Sequence, residues 1–330
     1  MTDFQVFRVY QEDGKLAGKL ELSDVNDLSP GEVVIKVAYS SVNYKDALAA
    51  TGAGAIIRRF PLVAGIDAAG YVVSSKNKNI KEGDAVVVTG YDFGTNHDGG
   101  YAEYARVPAE WVVPLHENMS PQQAMSIGTA GFTVALCVQR LEENYQRPDH
   151  GPFVITGASG GVGNFAIDIL SGLGYEVIAV SGKQNEKNKL LALGASDVLD
   201  RNEIDLSGPA LEKGQWGGAI DSVGGDILAW LTRTTRPWGN IASVGMAGGS
   251  HLNTTVMPFI LRGVSLLGIT SSGCPTELRH KLWHRLATDL APTHLDDIVS
   301  RVAGLKDLPE IFDTLLAGTS TGRTIIKIAE

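Results

Sequence analysis

Residues 154–166 read VITGASGGVGNFA: an apolar run, a turn rich in glycine, and the opening of a helix. Ala158-Ser159-Gly160-Gly161-Val162-Gly163 fits the dinucleotide fingerprint G-x-G-x-x-G with alanine in the first place. Gly160 lets the backbone approach a pyrophosphate, and Gly163 lets helix and strand pack closely. Free N–H groups and the dipole at the helix N-terminus favour the anion. A strand before the loop, a helix after it and a second strand ending at Val180 strengthen the fingerprint.

Two other chemistries share this pattern. Gly157-Ala158-Ser159-Gly160-Gly161 also satisfies the nucleophile elbow G-x-S-x-G,. The additional glycines serve a phosphate loop and have no required role in a hydrolase, so the elbow is the weaker reading. Thr156-Gly157 to Gly163 has the T-G-x-x-x-G-x-G shape of short-chain dehydrogenases. Those place the loop near the N-terminus and use Tyr-x-x-x-Lys; here about 150 residues precede it and no tyrosine has lysine four positions on,. That reading fails.

From about residue 150 onward, strands and helices alternate. FVIT, EVIAV, DVLD, GGAIDSV, NIASVG and SLLGI are six candidate strands, predicting a doubly wound parallel sheet. Ahead of them, QVFRVY, GKLELSD, EVVIKVAYSSVN, AAGYVVS, DAVVVTG and YAEYARVP predict short antiparallel strands,. Ser120-Pro121 predicts a helix start, running through QQAMSIGTAGFTVALCVQRL,. A late amphipathic helix, ELRHKLWHRLATDL, precedes a last strand, RTIIKIA, expected to return to the β-rich part. The expected fold is α/β: a β-rich domain of residues 1–124 and 272–330 with a nucleotide-binding domain, 125–271, inserted in it.

At the end of the second nucleotide-domain strand an NAD site carries Asp or Glu for the ribose hydroxyls. This chain reads VIAVSGKQNEK, with Ser181 in the acid's place, then Gly182 and Lys183. Arg201 follows the third strand. A hydroxyl and two cations suit a 2′-phosphate, which a carboxylate would repel, so the expected cofactor is NADPH. The bland alternative is a solvated helix start with incidental cations.

Composition is ordinary for a globular chain of 330 residues: 44% hydrophobic, 20% charged,. A net charge of −9 argues against a general nucleic-acid binder,. No signal peptide is evident, and no run approaches the roughly 18 apolar residues of a membrane span. Two cysteines, Cys137 and Cys274, cannot build a disulfide framework and suit a reducing cytoplasm,. His280 and His284 lie four apart, but Lys281 stands where H-E-x-x-H has glutamate, so a polar helix face is the preferred reading,.

A β-rich N-terminal part with an inserted nucleotide fold, together with GDAVVV (83–88), GGYAEYARVP (99–108) and GASGGVG (157–163), resembles the medium-chain dehydrogenase/reductase superfamily. Its GroES-like domain corresponds to the β-rich part. Its zinc alcohol dehydrogenases carry G-H-E where this chain has Gly65-Ile66-Asp67; isoleucine cannot bind zinc, so no metal is expected. SSVNYKDALAATGAGAIIRRFPLVAGIDAAG (40–70), IGTAGFTVALCV, VSGK, LGAS, TTVMPFILRGVSLLGI and GRTIIKI resemble the zinc-free quinone oxidoreductase-like YhdH/YhfP family, which includes NADPH-dependent acrylyl-CoA reductases.

The resemblance implies cofactor contacts from Tyr44, from Ser159, Gly160, Gly161 and Val162, from Ser181, Gly182, Lys183 and Arg201, and from Met246, Ile260 and Ser271. Without it, Met246 and Ile260 read as apolar residues after strands. It implies reduction of a short 2-enoyl-CoA and a homodimer. Donors toward the developing charge are expected among the Tyr44 hydroxyl, the Asn43 amide and backbone N–H groups, with Asp46 orienting or relaying a proton. Turn and cap chemistry is the equal alternative for Asn43 and Asp46. Arg58, Arg59 and Arg323 are candidate partners of coenzyme A phosphates, although a surface ion pair is the commoner fate of each. The alternatives are a quinone reductase and a non-catalytic NADPH sensor.

Overall fold

The computed structural model describes residues 3–328. The chain divides into two compact units: one holds the residues up to Thr129, Ser271–Asp289 and Val299 onward, the other Ala130–Thr270 and Leu290–Ile298. The first break falls after 129, where 124 was expected; the second falls after 270, one residue from the expected 271; and the short segment Leu290–Ile298 returns to the second unit. Leu290–Ile298 joins the second unit because Thr293 Oγ1 and His294 Nδ1 lie 2.6 and 2.8 Å from the buried Asp168 carboxylate. That carboxylate is on the helix Gly161–Gly172.

The first unit is built on strand Val33–Val42. Asp67–Ser75, Ala85–Thr89 and Val113–Pro114 follow on one side, and Arg323–Lys327 and Val299–Ala303 on the other. The last strand runs antiparallel to the central one, with Thr324 opposite Val42. A hairpin, Phe4–Glu12 with Lys15–Ser23, turns at Asp13-Gly14. Both turn residues have positive φ, 50° and 77°, as a two-residue turn matched to strand twist requires. Val33, Ile35, Val37, Val86, Val88 and Phe93 form one apolar cluster of this unit. Phe7, Leu62, Tyr101, Ile311, Phe312 and Ile326 anchor another, under the helices Tyr44–Thr51 and Leu308–Leu316.

The second unit carries a six-stranded, fully parallel sheet. Its spatial order is Asp197–Asp200, Val177–Ser181, Phe153–Thr156, Trp216–Asp221, Thr235–Ser243, Ser265–Gly268. In chain order that is 3-2-1-4-5-6, the doubly wound arrangement. The strand order reverses between Phe153–Thr156 and Trp216–Asp221, and the glycine loop leaves the first of these.

The helix Pro121–Glu143 departs from expectation in two ways. It is long and apolar enough, by length and composition, to cross a membrane, yet 89% of its most apolar window is buried, as in a core helix. It is also broken at Gly128, where φ is 51° and ψ −159°, a conformation that only glycine adopts readily. A Cβ there would lie 2.5 Å from Arg323 Nη2, 2.6 Å from Ser41 Oγ and 2.9 Å from Asp67 Oδ2. Gly128→Ala is therefore expected to lower stability by at least about 2 kcal/mol, combining backbone strain and collision. A urea-unfolding midpoint within error of the parent chain contradicts this.

Candidate active site

In the second unit the strand Phe153–Thr156 is buried along its length and delivers the chain to Gly157, whose φ is +61°. A Cβ at Gly163 would stand 2.5 Å from Gly157 O and 2.6 Å from Ala158 Cα, so helix and loop approach as only glycine permits. The Asn164 amide donates to Ala158 O at 2.8 Å, holding the loop from beneath. Gly160 caps the helix without a side-chain hydrogen bond, leaving first-turn N–H groups for an anion.

Thr156 Oγ1 donates to Asp221 at 2.6 Å, joining the two strands at the point where their order reverses. Burial pushes the Asp221 carboxyl up, opposed by hydrogen bonds from Thr156, Gly224 N and Val223 N. The hydroxyl of Ser222, the next residue, is buried with no partner among the described residues. A dinucleotide fits this cradle: tight glycines, open amides and an unanswered hydroxyl converge at the carboxyl end of the parallel strands.

The next strand ends at Ser181, which is buried; its Oγ accepts from Lys183 N at 3.0 Å. Ser181 pairs in register with Asp200, so Arg201 starts its turn beside it. A Cβ on Gly182 would be 3.1 Å from Arg201 Nη2, which places the guanidinium against this turn. Burial lowers the Lys183 ammonium below the usual lysine value, partly offset by Glu186. Ser181, Gly182, Lys183 and Arg201 are thus brought together. Met246 and Ile260 are exposed on the same unit, on a loop and on the helix Met257–Arg262. Tyr44 and Ser271 belong to the first unit.

In the first unit, the residues ahead of Tyr44 rest on a buried acid–arginine knot. Asp67, with no solvent exposure, accepts from Ser41 Oγ (2.5 Å), Asn43 Nδ2 (2.9 Å), Thr129 N (2.9 Å) and Thr129 Oγ1 (2.5 Å). Arg323 donates to Val42 O and Asn43 Oδ1, each at 3.0 Å, to Ser41 Oγ at 2.8 Å and to Ser126 O at 3.3 Å. Asp46 accepts from Asn43 N and Ile66 N. Burial first, then the Asp67 charge, pushes the Asp46 carboxyl up to about 7. Burial and both carboxylates push the Tyr101 phenol higher still.

Three expected roles change. Arg323 is 3% exposed and its guanidinium is spent within the knot, so it does not face a coenzyme A phosphate. The Asn43 amide gives its N–H groups to Asp46 and Asp67 and takes one from Arg323, so it is not a donor to substrate. Asp46 accepts from Asn43 N at the start of the helix Tyr44–Thr51, as in the capping alternative, and from Ile66 N. Tyr44 itself is half-exposed at the first helical position. Arg58 and Arg59 are both exposed, Arg58 beside Asp92 and Arg59 beside Asp98 and Ser29. Ser41, Asp67, Gly128 and Thr129 went unassigned in the sequence; a signal was the aspartate in GID, at the position of the glutamate in G-H-E.

Two family models match the chain: the alcohol dehydrogenase GroES-like domain over residues 29–117 and the zinc-binding dehydrogenase over residues 161–288. The putative quinone oxidoreductase YhfP of Bacillus subtilis is 44% identical over 99% of each chain. Its solved structure, with NAD bound, has a TM-score of 0.96 to this one and covers 99% of this chain and all of its own. The probable acrylyl-CoA reductase AcuI of Escherichia coli is 44% identical over 98% of this chain and 99% of its own. The yhdH oxidoreductase of Salmonella enterica in complex with NADP is 44% identical, with a TM-score of 0.95 over 98% of this chain and all of its own.

The chain belongs to the YhdH/YhfP family of medium-chain dehydrogenases/reductases. It is an oxidoreductase of that family. The second model's description implies zinc, and the side chains do not fit it. Ile66 is apolar and buried, and both Asp67 oxygens are taken by hydrogen bonds. Among the described residues no three His, Cys, Asp or Glu side chains are grouped to hold a metal. His280 and His284 lie exposed on the helix Thr276–Leu286.

The raised Asp46 carboxyl has a consequence for stability. Its ordinary value is 3.8 and its folded value about 7, so folding takes up a proton between them. The stability this group contributes is complete below about 3.8 and is lost as pH rises through about 7. The midpoint of thermal unfolding should fall as pH rises from about 4.5 to about 7 and level off above that,, and Asp46→Asn should flatten that slope. An unchanged slope in the variant removes Asp46 as its source.

Proposed function

We propose that this protein is an NADPH-dependent reductase of short 2-enoyl-CoA thioesters, acting on acrylyl-CoA to form propionyl-CoA without metal. The observation that carries the cofactor choice is the group at the end of the second nucleotide-unit strand: Ser181, Lys183 and Arg201 together, with no carboxylate in the acid's usual place. The substrate class is supported by relatives named acrylyl-CoA reductase at 43–44% identity.

NADPH, when bound, supplies a hydride to the β-carbon of the unsaturated thioester, and the α-carbon takes a proton. The loop Ser159–Val162 would hold the pyrophosphate on open backbone amides, and Ser222 Oγ adds a hydroxyl beside it. Lys183 and Arg201 would neutralise the 2′-phosphate. Negative charge developing on the thioester oxygen calls for a donor. With the Asn43 amide already engaged, the half-exposed Tyr44 hydroxyl is the one left of the two side-chain donors expected. Arg58 and Arg59, both exposed, remain the arginines of the three expected that an anionic coenzyme A group can reach.

A second reading, NADPH:quinone reduction, is favoured by the name of the Bacillus relative. A homodimer is part of the proposal. Strand Ser265–Gly268 is an outer strand of its sheet, and Trp238, Val256 and Leu261 are exposed in the same unit, at 76, 66 and 63%. An open strand edge with exposed apolar residues is a surface that a second copy covers. A monomeric mass in light scattering contradicts that part.

NADPH oxidation with acrylyl-CoA, crotonyl-CoA and benzoquinone, measured side by side and repeated with NADH, separates the readings. Fast turnover with acrylyl-CoA and NADPH is expected. Turnover with the quinone alone replaces the substrate class, and silence with all three leaves a cofactor-binding sensor. Replacing both Lys183 and Arg201 with alanine should raise KM for NADPH about 10- to 100-fold, as expected for two lost charge-assisted phosphate contacts, with little change for NADH. Equal losses for both cofactors would refute the 2′-phosphate assignment.

A further inference from the structure

We propose that Arg323, with Asp67, is a positioning residue that sets the place of Tyr44; this rests on the reading of Tyr44 as the donor to substrate. Tyr44 is half-exposed at the first turn of its helix and makes no side-chain hydrogen bond among the described residues. Its location is therefore inherited from the backbone that leads into it. The three residues before it are held by one guanidinium: Nη2 takes Ser41 Oγ, and Nη1 takes both Val42 O and Asn43 Oδ1. Asp67 holds the same residues from the other side through Ser41 Oγ and Asn43 Nδ2.

The planar fork of arginine suits this task. Its donors diverge in fixed directions, so three acceptors on consecutive residues are fixed relative to one another, whereas one ammonium cannot span them. The guanidinium is anchored by the strand Arg323–Lys327, paired to Val33–Val42, and by Ser126 O just before the Gly128 break. Ser41, Val42 and Asn43 thus enter the helix with Asn43 in the extended conformation, φ −121° and ψ 157°. A donor displaced by about 1 Å from the developing charge costs on the order of 100-fold in rate, so positional control has a kinetic signature.

The experiment is a double-mutant cycle on the full-length protein with acrylyl-CoA and NADPH. Tyr44→Phe, Arg323→Lys and the double variant are compared for kcat, for NADPH affinity by cofactor fluorescence, and for the unfolding midpoint. Arg323→Lys is expected to lower kcat about 100-fold with NADPH affinity held within about twofold. In the Tyr44→Phe background the same change should cost less than about threefold, because the group it positions is gone. Ser41→Ala removes one arm of the fork while the others remain. It is expected to fold and to lower kcat about 5-fold in the parent and not in Tyr44→Phe, which keeps the test open if Arg323→Lys does not fold. Losses that multiply fully in the Tyr44→Phe background, or a parental kcat in folded Arg323→Lys or Ser41→Ala, overturn the positioning role. A parental kcat in Tyr44→Phe alone defeats instead the reading of Tyr44 as donor.

Discussion

Burial of Arg323 opposite Asp67 constrains most of what surrounds it in the first unit. A guanidinium removed from water is tolerated only when its donors are answered and its charge is met. Here the answers come from Ser41, Val42, Asn43 and Ser126, and the charge from Asp67. Those demands explain the break at Gly128, where no side chain fits beside the guanidinium and carboxylate. They also explain why Thr129 follows, its N–H and hydroxyl both turned to Asp67. Burial first, and then the Asp67 charge beside it, push the Asp46 carboxyl up to about 7 in this interior.

The nucleotide unit solves a different problem. It must leave polar groups unsatisfied where a ligand will come, and satisfied everywhere else. Asp221 takes the hydrogen bonds of Thr156, Val223 and Gly224 and so locks the backbone at the reversal of strand order. The neighbouring Ser222 hydroxyl has no partner among the described residues, and the helix after Gly160 starts without a side-chain cap. Ser181, by contrast, is turned inward to hold Lys183 N. In the proposed site it would shape the turn that carries the two cations, and it is not a carboxylate.

The glycine loop, the alternation of strands and helices and the return of the last strand were legible because each is written in local pattern: periodicity of two or 3.6, glycine spacing, and the run of branched residues in RTIIKI. The cluster of Ser181, Lys183 and Arg201 was legible because the geometry of a parallel sheet places successive strand ends side by side. Arg323 was misread for the converse reason. A lone arginine near a chain end is most often solvated, and its burial depends on Ser41, Asp67 and Gly128, which lie about 200 to 280 positions away,. Asn43 and Asp46 were left between capping and catalysis; Asp46 accepts at the helix start from Asn43 N, while the Asn43 side chain is taken by the distant Asp67 and Arg323, which local sequence does not show.

By itself the sequence determined the two-part organisation, the doubly wound sheet and the glycine loop after its first strand, because these follow from interactions between near neighbours along the chain. It also excluded histidine from the zinc position, since Ile66 offers no lone pair to a metal. Only the tertiary structure decided which polar residues are spent on holding the fold and which remain free to act. That division depends on burial and on partners far apart in the chain: a charge taken out of water must find its counterpart wherever the fold brings one.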